Sequence, residues 1–262
     1  MGVLSLLTDF GTQDGFVGVM KAVIWEICPT VQIADLSHQI QPQNVMQAAI
    51  TLSRVAPYFE EGSVHVAVVD PGVGTERRAI AAQLGGQFYV APDNGLLTLL
   101  IQDAESKHLP INFVNLNRPE YWRKNFSQTF HGRDIFAPVG GHLAAGVPLE
   151  KLGSPITDPV LLNLPAPIKK DFGWEAEIIL IDHFGNLRTN LPAEKLNANA
   201  SIRILGKKID GLIPAYGHRP AGELVALADS GGNLEIAVVN GSAEKMLSAK
   251  LGDSVLVYQS NG

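Results

Sequence analysis

The sequence predicts two folds in series. The first is an α/β domain whose largely parallel central sheet lies between helices, and the second is a smaller antiparallel β-barrel. Three observations predict this. Over the first 150 residues, apolar runs of strand length alternate with segments that are apolar at helical spacing. Four prolines then interrupt the pattern between Ser154 and Pro167 (Pro155, Pro159, Pro165 and Pro167), and proline suits neither a helix interior nor a central strand. Beyond them the apolar runs are short, closely spaced and separated by turn residues. The expected boundaries are 1–155 for the first domain, 156–171 for a proline-rich linker and 172–262 for the second domain.

The elements follow in order. Val3–Leu7 reads as a buried strand that enters a Thr-Asp-Phe-Gly loop. Phe16–Ile27 is apolar at helical spacing and stops before Pro29. Val31–Leu36 is a second strand, and Asn44–Val55 a helix with Pro57 beyond it. Ser63–Val69 is dense in β-branched residues and ends in Asp70-Pro71-Gly72, a strand running into a turn. Ala79–Leu84 and Gln87–Val90 form a hairpin about Gly85-Gly86; Leu96–Asp103 is helical, Ile111–Leu116 extended and Asp134–Ala145 helical. After the prolines come strands at Glu175–Asp182, Leu187–Thr189, Ala200–Ile204, Lys207–Ile209, Leu224–Ala228, Asn233–Val238 and Ser254–Tyr258, with one clear helix at Ala243–Leu247.

Composition narrows the function. With 46% hydrophobic and 18% charged residues, the 262-residue chain can build a sizeable core. Twenty Lys and Arg against 26 Asp and Glu give a net charge of −6, so nucleic acid is a poor partner. Cys28 is the single cysteine, which favours a reducing compartment over a disulfide framework or a Cys-rich zinc site. The opening residues lack a basic n-region and reach Asp9 before a useful apolar stretch, and no apolar run approaches membrane length. The expectation is a cytoplasmic protein with no membrane partner.

Ligands of an open parallel sheet bind beyond the carboxyl ends of its strands. Asp9 and Asp70 fall there, each near glycine. A turn-capping role accounts for one such aspartate; two on separate strand ends favour a site. In VVDPGVGTERR, Arg77 and Arg78 lie within reach of Asp70, and a guanidinium there would hold the carboxylate ionised and oriented. TFHGRD places His131 between aromatic and charged residues just before a helix, a setting for acid–base work. IDHFGNLRTN, with Asp182 and Asn186, reads adequately as a β-turn, and Asp93-Asn94 as a turn and helix N-cap. No Walker A sequence, G-x-S-x-G elbow or H-E-x-x-H is present. The residues leave two chemistries open: metal-assisted hydrolysis with Asp9, Asp70, His131 and Asp134 as ligands, or metal-free attack of a water positioned by Asp70, Arg77 and His131.

The segments LLTDFGTQDGFVG, ADLSHQI, VAVVDPGVGTERR, FYVAPDNGLL, TFHGRD, LAAGVPLEKLG, IDHFGNLRTN and NLEIAVVNGSA, in this order, resemble the S-adenosylmethionine (SAM) hydroxide adenosyltransferases, relatives of the SAM-dependent fluorinases and chlorinases. The resemblance runs from residue 4 to about residue 243. It implies the α/β and β-barrel pair, a homotrimer with its active site at the subunit interface, no cofactor, and the reaction of SAM with water to give adenosine and L-methionine. By motif it makes Asp70, Arg77 and His131 the catalytic set. Asp9 would accept both ribose hydroxyls, Asp14 and Phe130 would line the pocket, and Asp182 would take the methionine ammonium. Asn186 would meet the adenine edge, with Ser230 and the backbone around Asn240 completing the contacts; no metal site is implied. Halogenating members carry tyrosines where this chain has Asp70 and His131, a Ser or Gly where it has Gly132, and a tryptophan where it has Gln43. An anionic Asp70 would repel a halide. The alternatives are a metal-dependent hydrolase using the same acidic cluster, and a non-catalytic SAM- or adenosine-binding module.

Overall fold

The computed structural model describes residues 2–259. The chain forms two compact units that divide after Leu162. Unit one is built on a seven-stranded sheet. Its elements are β1 (Leu4–Thr8), α1 (Phe16–Ile27), β2 (Ile33–Ser37), α2 (Val45–Val55), β3 (Val64–Val68), β4 (Ala79–Leu84), β5 (Gln87–Pro92), α3 (Thr98–Ser106), β6 (Ile111–Asn115), α4 (Ala137–Ala144) and β7 (Ser154–Ile156). The strand order is β2-β1-β3-β5-β4-β6-β7. β2, β1, β3 and β5 run parallel. The hairpin at Gly85 reverses the chain, so β4, β6 and β7 complete the sheet in antiparallel fashion. The sheet is thus mixed, with its parallel half on the side that carries Asp9 and Asp70.

The period of two along each strand sorts side chains to the two faces. Leu4, Leu6, Val64, Val66 and Val68 face a core shared with α1 and α4. Leu7, Ala67 and Val69 face a second core shared with α2 and α3. Helices therefore cover both faces, as long apolar strands require. Gly140 lets α4 lie on β3, because a Cβ there would stand 2.4 Å from Val66 Cγ2.

The chain leaves β1 for β2 on one side and returns to β3 on the other. The carboxyl ends of β1 and β3 therefore flank a switch of direction, where open α/β sheets bind ligands. Asp9 follows β1 directly and Asp70 lies two residues past β3.

The expected helix over Asp134–Ala145 forms as α4, Ala137–Ala144, but its first turn is a π turn, Gly132–Phe136. Pro138 explains the change. It has no N–H to give the carbonyl of Asp134, and that carbonyl accepts from Arg123 N–H instead, at 3.0 Å. The proline-rich stretch is held down as well. Pro155 sits in β7, an edge strand that tolerates a missing donor, and Val160 and Leu162 donate backbone N–H groups to Asp93 and Thr98.

Unit two contains β8 (Ile168–Lys170), β9 (Gly173–Ile181), β10 (Leu187–Pro192), β11 (Ser201–Ile204), β12 (Lys207–Asp210), β13 (Leu224–Ala228), β14 (Asn233–Val238), α5 (Ala243–Leu247) and β15 (Ser254–Tyr258). The order β12-β11-β15-β9-β10-β14-β13, with β8 beside β9, makes an antiparallel, nearly closed barrel. Ile213 N–H bonds to Ala226 of β13 just past the end of β12, which draws the two edges together. Ala176, Ile178, Leu187, Ile202, Ile236 and Val257 fill its core. Among the described residues no helix is long and apolar enough to cross a membrane.

Candidate active site

The loop after β3 turns tightly, with Val73 N–H bonded to Asp70 C=O and Thr75 N–H to Gly72 C=O. This brings Arg77 back over Asp70. Arg77 Nε donates to both carboxylate oxygens, at 2.9 and 3.0 Å, and its Nη2 donates to Oδ2. The same Nη2 lies 2.8 Å from His131 Nδ1. One guanidinium thus bridges two groups that come from different parts of the chain. It also lies over the fully buried ring of Phe136, 5.2 Å from the centroid. Arg78, one residue on, faces the other way and pairs with Asp93 and Asp158. Asp93 is therefore structural. Asn94 braces the turn through Val69 C=O and Leu96 N–H, whereas α3 begins four residues later with no side-chain cap.

Chemistry fixes the protonation of His131. A guanidinium only donates, so Nδ1 must accept and the ring proton sits on Nε2. Burial depresses the imidazole pKa below its ordinary value, and the neighbouring Arg77 cation depresses it further, against the carboxylates of Asp70 and Asp134. The ring is only 6% exposed and is neutral at pH 7. Asp134, fully buried, does not join this set. Its oxygens accept from the Arg133 guanidinium and from Ser127 N–H. Among the described residues, no group of three or more His, Cys, Asp or Glu side chains is arranged to hold a metal ion.

Phe10, Phe16 and Phe130 meet edge to face beside this triad, with centroids 5.2 to 6.0 Å apart. Gly132 allows the approach, since a Cβ there would meet the rings of Phe10 and Phe130 at 3.1 to 3.2 Å. Asp14 is exposed in the loop between Phe10 and Phe16. Asp9 Oδ2 accepts the backbone N–H of Gln43 at 2.8 Å, with Gln43 in the left-handed region at φ 66°.

In unit two, the turn between β9 and β10 is built by Asp182. Its Oδ1 accepts the N–H groups of Phe184 and Asn186, and its Oδ2 accepts from the Asn186 amide at 3.1 Å. The turn is thus the β-turn that the sequence suggested, and it also walls a cavity of about 500 Å³. Asp182, Phe184, Asn186, Tyr216, Val238 and Asn240 line that cavity. Its volume suits a small-molecule ligand. Gly185 packs so closely on Ser242 that a Cβ would stand 2.0 Å from its hydroxyl.

Ser230 is not part of this wall. It occupies the turn at the start of β14, whereas Asn240 follows the end of that strand. Six residues of β14 separate them, about 20 Å at the usual rise. The hydroxyl beside the Asp182 turn is that of Ser242. Sequence reasoning also missed Tyr216, Phe184 and Val238. Tyr216 comes from an irregular segment without periodicity, and its hydroxyl donates to the buried Glu235 at 2.5 Å.

Comparison with known proteins names the family. The chain matches the SAM hydroxide adenosyltransferase N-terminal domain over residues 4–153 and the C-terminal domain over residues 176–256. It belongs to the SAM hydroxide adenosyltransferase family. A Thermus thermophilus relative called (R)-S-adenosyl-L-methionine hydrolase is 40% identical over 94% of this chain and 95% of its own length. A relative of the same description from Salinispora arenicola is 37% identical over 97% of both chains. The crystal structure of an uncharacterized conserved protein from Thermotoga maritima superposes with a TM-score of 0.89 at 36% identity, covering 98% of this chain and 100% of that one. The family's two domain segments fall one in each compact unit, with the Asp70–Arg77–His131 triad in the first and the Asp182 cavity in the second.

Proposed function

We propose that this protein hydrolyses SAM to adenosine and L-methionine by attack of water on ribose C5′, without a metal or cofactor. The observation that carries the reading is the half-buried Arg77 fork that joins Asp70 to a neutral His131. The names of full-length relatives at 37% and 40% identity support the substrate. In the reaction a C5′–O bond forms as the C5′–S bond breaks. The sulfonium takes the bonding pair and leaves as neutral methionine, and the water gives up one proton. The leaving group needs no acid, so the protein's task is to place, polarise and deprotonate the water.

His131 holds its proton on Nε2, so that nitrogen donates to the water oxygen and does not receive the proton. Asp70 is the acceptor. A carboxylate is a weak base, but the water proton turns strongly acidic as the C5′–O bond forms, so a weak base suffices. Arg77 offsets charge through the transfer in a site shielded from water. Asp9 accepts the ribose hydroxyls, the Phe10–Phe16–Phe130 cluster and Asp14 border the nucleoside, and the second-unit cavity takes the remainder through Asp182, Asn186, Tyr216 and Asn240. The two sets of residues come from neighbouring copies in a homotrimer, and the enzyme works in the cytoplasm.

The experiment is incubation with SAM in ¹⁸O-water, with and without EDTA. The expected result is adenosine labelled at the 5′-hydroxyl in both arms. Loss of activity with EDTA would establish the metal-dependent alternative, and binding of SAM without product would leave a binding module.

A further inference from the structure

The segment Asp35-Leu36-Ser37-His38 plays no part in the chemistry above, yet it belongs to a chain of polar groups that ends at Thr8, the residue before Asp9. Lys21 Nζ donates to Asp35 Oδ2 at 2.6 Å. Asp35 Oδ1 lies 3.0 Å from His38 Nε2. His38 Nδ1 lies 2.9 Å from Thr8 Oγ1. His38 is 6% exposed and Thr8 is fully buried, so the contact at Nδ1 forms in a low-dielectric setting where it holds firmly, whereas Asp35 stands at the exposed side of the ring. Thr8 is the last residue of β1 and directly precedes Asp9. Its Oγ1 accepts Phe10 N–H at 3.3 Å, bridging over Asp9. On the far side, Gly11 N–H donates to the backbone carbonyl of His38 at 2.8 Å. His38 therefore grips the chain on both sides of Asp9, once through its ring and once through its carbonyl.

We propose that His38 is a positioning residue, which acts through Thr8 to hold Asp9 in the orientation that accepts the ribose diol, with Asp35 and Lys21 fixing its ring. This rests on the ribose-binding role of Asp9 given above. Thr8 is too deeply buried to act as a nucleophile, so the Asp35–His38–Thr8 arrangement serves placement and not covalent catalysis. The contact that matters is the one at Nδ1, because it touches the residue next to Asp9.

Amide variants separate the two ring nitrogens. The amide of His38→Asn reaches the position of Nδ1 and retains the Thr8 contact; that of His38→Gln reaches the position of Nε2 and retains only the Asp35 contact. The measurement is calorimetric affinity for adenosine and for 2′,3′-dideoxyadenosine, which lacks the diol. The wild type is expected to prefer adenosine strongly. His38→Gln and Thr8→Val should lose about tenfold of that preference, with dideoxyadenosine affinity unchanged and KM for SAM raised more than kcat is lowered. His38→Asn should stay near the wild type. Thr8→Val removes one hydroxyl and changes shape least, so it serves if a His38 variant fails to fold. A preference retained in His38→Gln and Thr8→Val, or equal weakening of both nucleosides, overturns the proposal. If the wild type itself shows no preference for the diol, the ribose role of Asp9 fails and the inference falls with it.

Discussion

At the scale of single residues, the site is a problem of shared hydrogen bonds. Arg77 serves Asp70 and His131 with one guanidinium, so changing either end changes the other. The sign of each effect on His131 is set. Arg77 lowers its pKa and Asp70 raises it. If neutral His131 is the working form, activity falls at acid pH along a limb below the ordinary imidazole value of about 6.5. In Arg77→Gln that limb should move to higher pH, because a repelling cation is gone. In Asp70→Asn it should move to lower pH, because an attracting anion is gone. Profiles of kcat against pH check both signs, and turnover in each variant should fall by about 100-fold or more. The Asp70–Arg77 contact was legible because seven residues of turn-rich loop leave little choice. The grouping with His131, 54 residues further on, was expected from the residue types and the family motifs, but its geometry was not legible. Nothing local encodes it; only the sheet's topology and the π turn bring it there.

At the scale of elements, close approaches decide what sequence change the fold accepts. Gly140→Ala would drive a methyl into Val66, and the expected cost is about 1–3 kcal/mol, measurable as a shift in the urea midpoint. β3 carries a second test. His65, fully buried, lies 2.6 Å from Ser5 on β1 and stacks on Tyr89 of β5. Burial lowers its pKa to about 4. The unfolded chain therefore takes up this proton first as pH falls through about 6.5, and stability is lost down to about pH 4, on the order of 3 kcal/mol from this group. That share of the acid slope should vanish in His65→Gln, as read from urea unfolding at pH 7 and pH 4.5. Elements were the most legible scale. α1, α5, β4, β13, β14 and β15 coincide with the expected spans, because alternation and helical spacing are local properties. The misses have local causes of another kind: Pro138 withdrew one donor and produced the π turn, and β7 formed as an edge strand in which Pro155 is tolerated. Ser230 and Asn240 lie at opposite ends of β14, which spacing along the sequence does not reveal.

At the scale of the whole molecule, the two units divide the labour. One carries the triad and the aromatic cluster, the other the Asp182 cavity. If neighbouring copies complete each other, solution mass should be three times the 28.1 kDa of one chain, and dilution to monomers should abolish turnover while leaving each unit folded. Sedimentation equilibrium paired with an assay across the same concentrations checks this. The fold itself also governs when the site comes into being. β1 is flanked by β2 on one side and by β3 on the other, and His131 arrives only with the segment that leads into α4. No contiguous fragment of the first hundred residues contains Asp9, Asp70, Arg77 and His131 together. Until the segment ahead of α4 has been made, a chain emerging from the ribosome therefore holds at most three of these four residues, and the triad forms only when α4 docks on β3.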